Sequence, residues 1–542
     1  MSTVLKQLAQ APVFCVDVET TGVSWTKDGL FGVAAAVPGC SLEELLADPA
    51  GAPVKDVYFD VRREPGTYEK FKEAVHASEG VLVGHNVMFD AHFLLNDGCA
   101  VNLHETECSM IRASLVNEHR KRYDLDSLAW DYLGLRKHGE VYEELAELFG
   151  GRATRNAQIA NLHRAPVDTV RPYAERDAEV ALRLWAWQET ELDRQGLWQV
   201  WRLEKRLFRH VFGMERNGVR VDLEEAQARA EELTTRIDRQ QQELNKLAGF
   251  EVNPNPSKSI SDLFQPYQDE DGNWWAKDGT ALAATPAGKP SVNAEALRRM
   301  EHPAAALILR LRKLKKTRDT FILGHVVGHS HKGRVHPTVN QVKGDETGGT
   351  STGRLSYTTP ALQQIPSRDK EIAALVRPIF LPEEGQEWAY GDLSAHEIRV
   401  FYHYARPPEI LKRYAEDPDT DGHQVVADLT GLPRSPTATG GGNAKQVNLG
   451  LVFNMGGGEL ADQMGLPFTW ESFRDNRGRV HEFKKAGEEA EAVLEKYHEA
   501  VPGVREMTQK AKTVAKSRGY VKTIMGRHIR FPRGEMVRKA SG

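Results

Sequence analysis

The stretch Ala11-Pro12-Val13-Phe14-Cys15-Val16-Asp17-Val18-Glu19-Thr20-Thr21-Gly22 opens β-branched and apolar, then ends in two acids and a turn. It predicts a buried strand whose last residues carry chemistry. Alternate strand residues face one side, so Asp17 and Glu19 point together. A second strand, GVLVGHN (80–86), leads into a helix beginning near Asn86, which sets Asn86 and Asp90 one turn apart on one face. The third group lies in VRPYAERDAEVALRLWAWQETEL (170–192), a strongly periodic helix. There Pro172 suits a first turn, and Tyr173 and Asp177 share a face.

Hydrolysing a phosphodiester requires a water activated near neutral pH and neutralised charge on the leaving oxygen; two divalent ions about 4 Å apart supply both. Mg²⁺ favours carboxylate oxygens and retained waters. Asp17, Glu19, Asp90 and Asp177 make a fitting cage, with Mn²⁺ as an alternative ion. The Tyr173 hydroxyl would hold the attacking water, and Asn86 would touch the DNA. Singly, each acid is as ordinary as a surface residue or a helix cap. Their joint order on strand, helix and helix carries the reading.

At 542 residues the chain exceeds one hydrophobic core, which favours about three or four domains. No apolar run approaches a membrane span, and the N-terminus lacks a basic region followed by an apolar signal core, so a cytoplasmic location is expected. Cys15, Cys40, Cys99 and Cys108 form no C-x-x-C pair and read as reduced thiols, without zinc or disulfide. A net charge of −5 argues against coating nucleic acid through bulk positive charge. Local charge differs: RLRKLKKTR (310–318) and the tail RHIRFPRGEMVRKASG (527–542) are basic, and Lys313 and Lys316 are expected to meet phosphates.

From about 192 to 342 the chain is rich in Glu, Gln, Arg and Leu, and LEEAQARAEELTTRIDRQQQELNKL (223–247) has heptad-like spacing. That stretch predicts a packed helical arm or a short coiled coil, with a polar surface loop near 265–290. Farther on, TGGTSTGRLSYTTPALQQIPSRD (347–369) sets Arg354, Gln363 and Gln364 in a turn-rich region suited to a sugar–phosphate backbone and base edges. In EWAYGDLSAHEIRVFYHYA (387–405), Trp388 to Asp392 reads as a strand, and Ser394 or Ala395 opens a helix holding Glu397. An acid at a strand end, Asp392, is placed to bind Mg²⁺ beneath a triphosphate, with the Leu393 carbonyl as a further ligand. TATGGGNAKQVNLGLVFNMGGG (437–458) lacks the Gly-Lys-Ser/Thr of a phosphate loop. Read as a helix from Asn443, it puts Lys445, Leu449 and Phe453 on one stripe, and the lysine points to a phosphate partner.

DVETTG (17–22), GHNVMFD (84–90) and YAERD (173–177) resemble the three motifs of DnaQ-like 3′–5′ exonucleases of proofreading DNA polymerases. That likeness implies an RNase H-like α/β fold over about the first 195 residues. The segments VNPNPSKSISDLF, SVNAEALRRM, LRLRKLKKTR and GRVHPTVNQ, in that order, resemble the thumb of family A DNA polymerases. TGRLS…LQQIP resembles the family's T-G-R-L-S…L-Q-N-I-P, with Gln364 in place of Asn, and DLSAHEIR (392–399) matches its motif A. By this resemblance Asp392 is a metal ligand, and Glu397 helps exclude a ribose 2′-hydroxyl. Residues 443–453 resemble motif B: Lys445 corresponds to the triphosphate-binding lysine, and Phe453 stands for the tyrosine beside the templating base. Departures fall at Gly441 for arginine, Leu449 for Phe or Tyr, and Asn454 for Gly, with Arg434 the candidate replacement charge.

Neither Q-G-x-x-A-D nor His-Asp-Glu, the family's motif C, occurs in the sequence. The whole resemblance implies an α/β multidomain, phage-like replicative polymerase: exonuclease over 1–195, helical thumb over 196–345, incomplete α+β palm over 346–430, helical fingers over 431–526 and a return to the palm over 527–542. Two Mg²⁺ per active site, primer–template DNA and dNTPs are the expected cofactors and partners. A second polypeptide supplying motif C is expected to complete the palm, and a replisome helicase or clamp is a further candidate partner. The alternatives are an autonomous 3′–5′ exonuclease whose C-terminal part only binds DNA, and a non-catalytic DNA-binding or assembly protein.

Overall fold

The computed structural model describes residues 2–137, 139–255, 258–285, 287–343, 349–435, 443–453, 455–474 and 480–531, and the chain divides into two compact units, 1–388 and 389–542. Strands β1 (Val13–Thr20), β2 (Leu30–Pro38), β3 (Val54–Asp60), β4 (Val81–Gly84) and β5 (Thr106–Cys108) form one sheet in the order β3-β2-β1-β4-β5. β1 runs antiparallel to β2 and parallel to β4, and β5 is parallel to β4. This is the RNase H-like arrangement. β1 lies at the centre, which explains its nearly unbroken apolar run. Its register with β2 shifts between Glu19 and Thr20, so the ladder is interrupted beside the acids. Opposite Glu19 sits Gly32, where an added Cβ would come 2.3 Å from the Tyr58 hydroxyl.

Helices α1 (Val87–Asn96), α2 (Leu125–Leu133) and α3 (Val167–Gln195) complete this layer structure, with α3 packed across β1, β2 and β3. Pro172 lies inside α3, not in its first turn; Pro166 precedes the helix as its cap. The packing of α3 on the sheet offsets the one amide bond that Pro172 removes. Helix α4 (Trp198–Asn217) extends the same core through Val200, Trp201 and Phe208.

A buried cation fastens α4 to the sheet. Arg112 is fully buried, pairs with Glu107 of β5 and with Glu189 of α3 at 2.6 Å, and lies 4.6 Å from the Trp201 ring centre. Glu107 also accepts from Trp185 Nε1 at 2.8 Å and Lys205 Nζ at 3.0 Å. Burial pushes the Glu107 carboxyl up, but Arg112, Trp185 and Lys205 together hold it below its ordinary value.

A second core joins α5 (Leu223–Ala248) to α6 (Pro303–Lys316), burying Ala226, Leu233, Ile237 and Leu244 with Ile308, Leu311 and Leu314. The heptad-like stretch is therefore a packed arm. The region near 265–290 is not an irregular loop: Tyr267–Gln268, Trp274–Trp275, Ala281–Ala284 and Pro290–Ser291 form a small antiparallel sheet. Its turns place Gly272, Gly279 and Gly288 at positive φ, which permits tight reversals despite the polar composition.

In the second unit, α7 (His396–Ala405), α8 (Gly422–Thr430), α9 (Ala444–Val452) and α10 (Glu488–Ala500) share a third core. Trp388–Asp392 is not a strand here. No strand among the described residues pairs with it, and without a partner its amides and carbonyls gain no ladder. Trp388 is 61% and Tyr390 92% exposed. Among the described residues, no helix is long and apolar enough to cross a membrane.

Arg112→Ala takes from the buried Glu107 carboxylate one of its two cationic partners and from Glu189 its own, and is expected to cost about 3 kcal/mol in urea unfolding. Arg112→Lys, which keeps a charge between Glu107 and Glu189, should lose less; equal stability of R112A and wild type would refute the role of the pair.

Candidate functional site

Five of the six residues of the first motif set, all but Asn86, come together beside the five-stranded sheet. Asp17 and Glu19 end β1, Asp90 lies in the first turn of α1, and Tyr173 and Asp177 face inward from α3. Asp90 Oδ1 accepts the Val18 amide at 3.0 Å, so it is pinned between the two β1 acids. Glu19, Asp90 and Asp177 are buried. Asn86 caps α1 in the left-handed region at φ 60 and is exposed, so it does not share the buried face of Asp90.

Packing like charges out of water disfavours their ionised forms. Burial, then Asp90, Asp177 and Glu19, push Asp17 well up; burial and Asp177 push Glu19 up to about 8. Burial raises Asp90 to about 7 against the opposing Val18 hydrogen bond. Asp177 is likewise raised by burial, while Lys137 and Tyr173 pull it down. Lys137, which the sequence reading did not single out, forms an ion pair with Asp177 Oδ2 and stands 5.2 Å from the Tyr173 ring centre. Nothing in its neighbourhood, LRKHGE (135–140), marks it as a site residue.

The donor set fits hard divalent ions. All four side chains offer oxygen, and Asp177 Oδ1 is buried without a hydrogen-bond partner. The cage is not closed, however: among the described residues no three acidic, His or Cys side chains stand ready around one point. The lysine ammonium supplies the positive charge there instead. His85 is a structural residue, bonded to Ser109 Oγ at 2.9 Å and the Tyr123 carbonyl at 2.8 Å.

The second constellation is open to solvent. Asp392, Leu393 and Glu397 are all exposed, with Leu393 at 71% and Glu397 in the first turn of α7. On α9, Lys445 and Phe453 are exposed and Leu449 half-buried, while Val447, Asn448 and Leu451 face the core. The helix ends at Val452, with Phe453 as its cap. A polar clamp missed in the sequence sets this orientation. Asn448 Nδ2 donates to Tyr402 Oη at 2.7 Å and approaches His423 Nδ1 at 3.1 Å, and Tyr497 Oη donates to Asn448 Oδ1 at 2.9 Å. Buried links between helices leave no periodic trace, so only the asparagine's place on the inner face hinted at it. Arg434 is engaged by Asp421 at 2.8 Å, while Gly441 and Asn454 lie outside the described residues.

The expected DNA contacts are spread over other elements. Lys313 pairs with Asp369 and Lys316 stands 5.6 Å from the Phe321 ring centre. Gln363 spends its amide inside its own turn, donating to the Leu355 carbonyl at 3.1 Å and accepting the Tyr357 amide at 3.3 Å. Arg354 and Gln364 are exposed.

Comparison with known proteins identifies the two parts of the chain that carry these residues. Residues 223–540 match the model of DNA polymerase family A, and residues 1–193 match a 3′-5′ exonuclease model. A "DNA polymerase DpoZ" of Salmonella phage PMBT28 is 55% identical over 535 residues, 97% of this chain and 83% of that protein. A "DNA polymerase DpoZ" of Vibrio phage phiVC8 is 42% identical over 548 residues, 99% of this chain and 84% of that protein. Among solved structures, the POL domain of Pol1 from M. smegmatis, in complex with DNA primer-template and dNTP, shares the fold. Its TM-score is 0.70 at 20% identity, covering 99% of this chain and 82% of that one. The chain belongs to DNA polymerase family A and carries a 3′–5′ exonuclease domain.

The raised carboxylates give metal-free stability a definite sign. Unfolded Asp and Glu lose their protons near pH 4, whereas folded Asp90 and Glu19 keep theirs to about 7 and about 8. The folded state thus binds more protons between these limits, and stability falls as pH rises through them. In chelator the melting temperature should drop from pH 6 to pH 8, and Mn²⁺ affinity should rise over the same interval. A flat response in both measurements would contradict the clustering.

Proposed function

We propose that this family A DNA polymerase edits through Asp17, Glu19, Asp90 and Asp177 and that its synthetic site is built on Asp392, the Leu393 carbonyl and Lys445. The observation that carries the reading is the convergence of four carboxylates, three of them buried, with an unpartnered oxygen on Asp177. Mg²⁺ or Mn²⁺ held there would supply water activation and charge neutralisation on the leaving oxygen. The protein's own part is positional. The Val18 amide fixes Asp90, α3 presents Tyr173 toward Asp177, and the Tyr173 hydroxyl orients the attacking water in line with the terminal phosphodiester. Asn86, exposed at the start of α1, meets the departing nucleotide.

For synthesis, Lys445 engages the triphosphate of an incoming dNTP, Leu449 and Phe453 flank its base and sugar, and Glu397 screens the 2′ position. The exposure of Lys445 on α9 and of Phe453 at its cap supports this reading, as does the Asn448 clamp behind them. Arg354, Gln363, Gln364, Lys313 and Lys316 follow the primer–template. We divide the chain into exonuclease (1–195), thumb (196–345), palm (346–430), fingers (431–526) and a returning palm segment (527–542).

One carboxylate cannot hold two ions in register, so synthesis requires a second acid of the motif C kind, which these 542 residues do not contain. It comes from chain outside them or from a second polypeptide. The exposed, unpaired Trp388–Asp392 segment supports a missing neighbouring strand. The likeness to DNA polymerases of phages supports action in a host cytoplasm.

Asp17→Ala with Glu19→Ala should lower 3′–5′ digestion of single-stranded DNA about a thousandfold while leaving DNA affinity within about twofold. Undiminished digestion would remove the assignment. In an assembly that supplies the second acid, Lys445→Ala should raise the dNTP KM by about tenfold or more, the loss of one charge-assisted contact; an unchanged KM would remove Lys445 from the nucleotide site.

A further inference from the structure

Lys137 is the cation that this site brings with it. The chain reaches it from the end of α2, and the approach is fixed by its neighbours. The Lys137 amide donates to Asp126 Oδ1 at 3.1 Å, and Arg176 Nε donates to the Arg136 carbonyl at 3.0 Å. Both anchors belong to helices, α2 and α3, and α3 also carries Tyr173 and Asp177. The side chain is three-quarters covered, and its ammonium meets Asp177 Oδ2 beside the Tyr173 ring. Asp17 lies close enough to act on the same ammonium. Along its outer side runs a cleft of about 450 Å³ lined by Arg136, Lys137, Glu175 and Arg176.

The charges make the geometry meaningful. Four ionised carboxylates and one ammonium leave three negative charges, whereas two dications and one phosphodiester bring three positive ones. With the lysine the loaded site is neutral; without it the site is left with an uncompensated negative charge in a low-dielectric setting. A purely structural lysine would pair with an acid outside the cluster. Lys137 pairs with a member of it.

We propose that Lys137 is a positioning residue of the exonuclease: it holds Asp177 and Tyr173 in their working orientation and competes with a divalent ion for the Asp177 carboxylate. The proposal rests on the exonuclease assignment of Asp17, Glu19, Asp90 and Asp177.

The test uses the whole chain with Lys137→Met, which keeps the side chain's length without its charge, and Lys137→Arg, which keeps the charge. Mn²⁺ titration by calorimetry without DNA should give binding roughly tenfold tighter for K137M and within about threefold of wild type for K137R. In chelator, K137M should melt below wild type, and saturating Mn²⁺ should close that gap. Single-strand digestion at saturating Mn²⁺ should fall about tenfold or more in kcat for K137M with little change in KM, as expected when Asp177 and Tyr173 lose their orientation. Unchanged or weaker Mn²⁺ binding by K137M, or an unchanged kcat, would overturn the proposal. The D17A/E19A protein separates the two claims. If it still digests DNA, the site assignment fails; if it is inactive while K137M matches wild type, only the role of Lys137 fails.

Discussion

Four carboxylates held together, three of them buried, repel one another and cost free energy, and much of the N-terminal domain is arranged to bear that cost. β1 is buried on both faces, so Asp17 and Glu19 cannot turn out to solvent without breaking the central strand. Asp90 is tied to the backbone between them, and α3 holds Asp177 against the same point. Lys137 relieves part of the repulsion, and protons on the raised acids relieve more. A fold that stores negative charge in this way is poised for cations, which links its stability directly to its chemistry.

The second constellation is under the opposite constraint. Its acid, Asp392, sits on an exposed segment without a partner strand among the described residues. What is fixed there is the outer face of α9. α9 is locked from behind by Asn448, Tyr402, His423 and Tyr497, which leaves Lys445 and Phe453 toward solvent. One site thus gathers four carboxylates, three of them buried, while the other presents Lys445 from a helix locked on its inner face.

The sequence made much of this legible because local patterns carried it. The apolar run into Asp17, the strand before Asn86 and the periodic helix around Asp177 each declare an element, and their order declares the site. What escaped depended on distant partners. Lys137 meets Asp177 only after α2 and α3 pack, so no spacing could announce it. Trp388–Asp392 has the composition of a strand, yet a strand exists only where a neighbour pairs with it. Pro172 looked like a helix start because local rules place proline there, but the packing of α3 on the sheet overrode them. The polar stretch near 265–290 hid a small sheet, since its positive-φ glycines make turns that composition alone reads as loop.

Both halves of the account meet in a single gel. A 5′-labelled primer annealed to a longer template is incubated with the 542-residue polypeptide, Mg²⁺ and all four dNTPs, and the products are resolved at single-nucleotide spacing. Shortening from the 3′ end and no product longer than the primer are expected. Extension by this polypeptide without any added protein would contradict this.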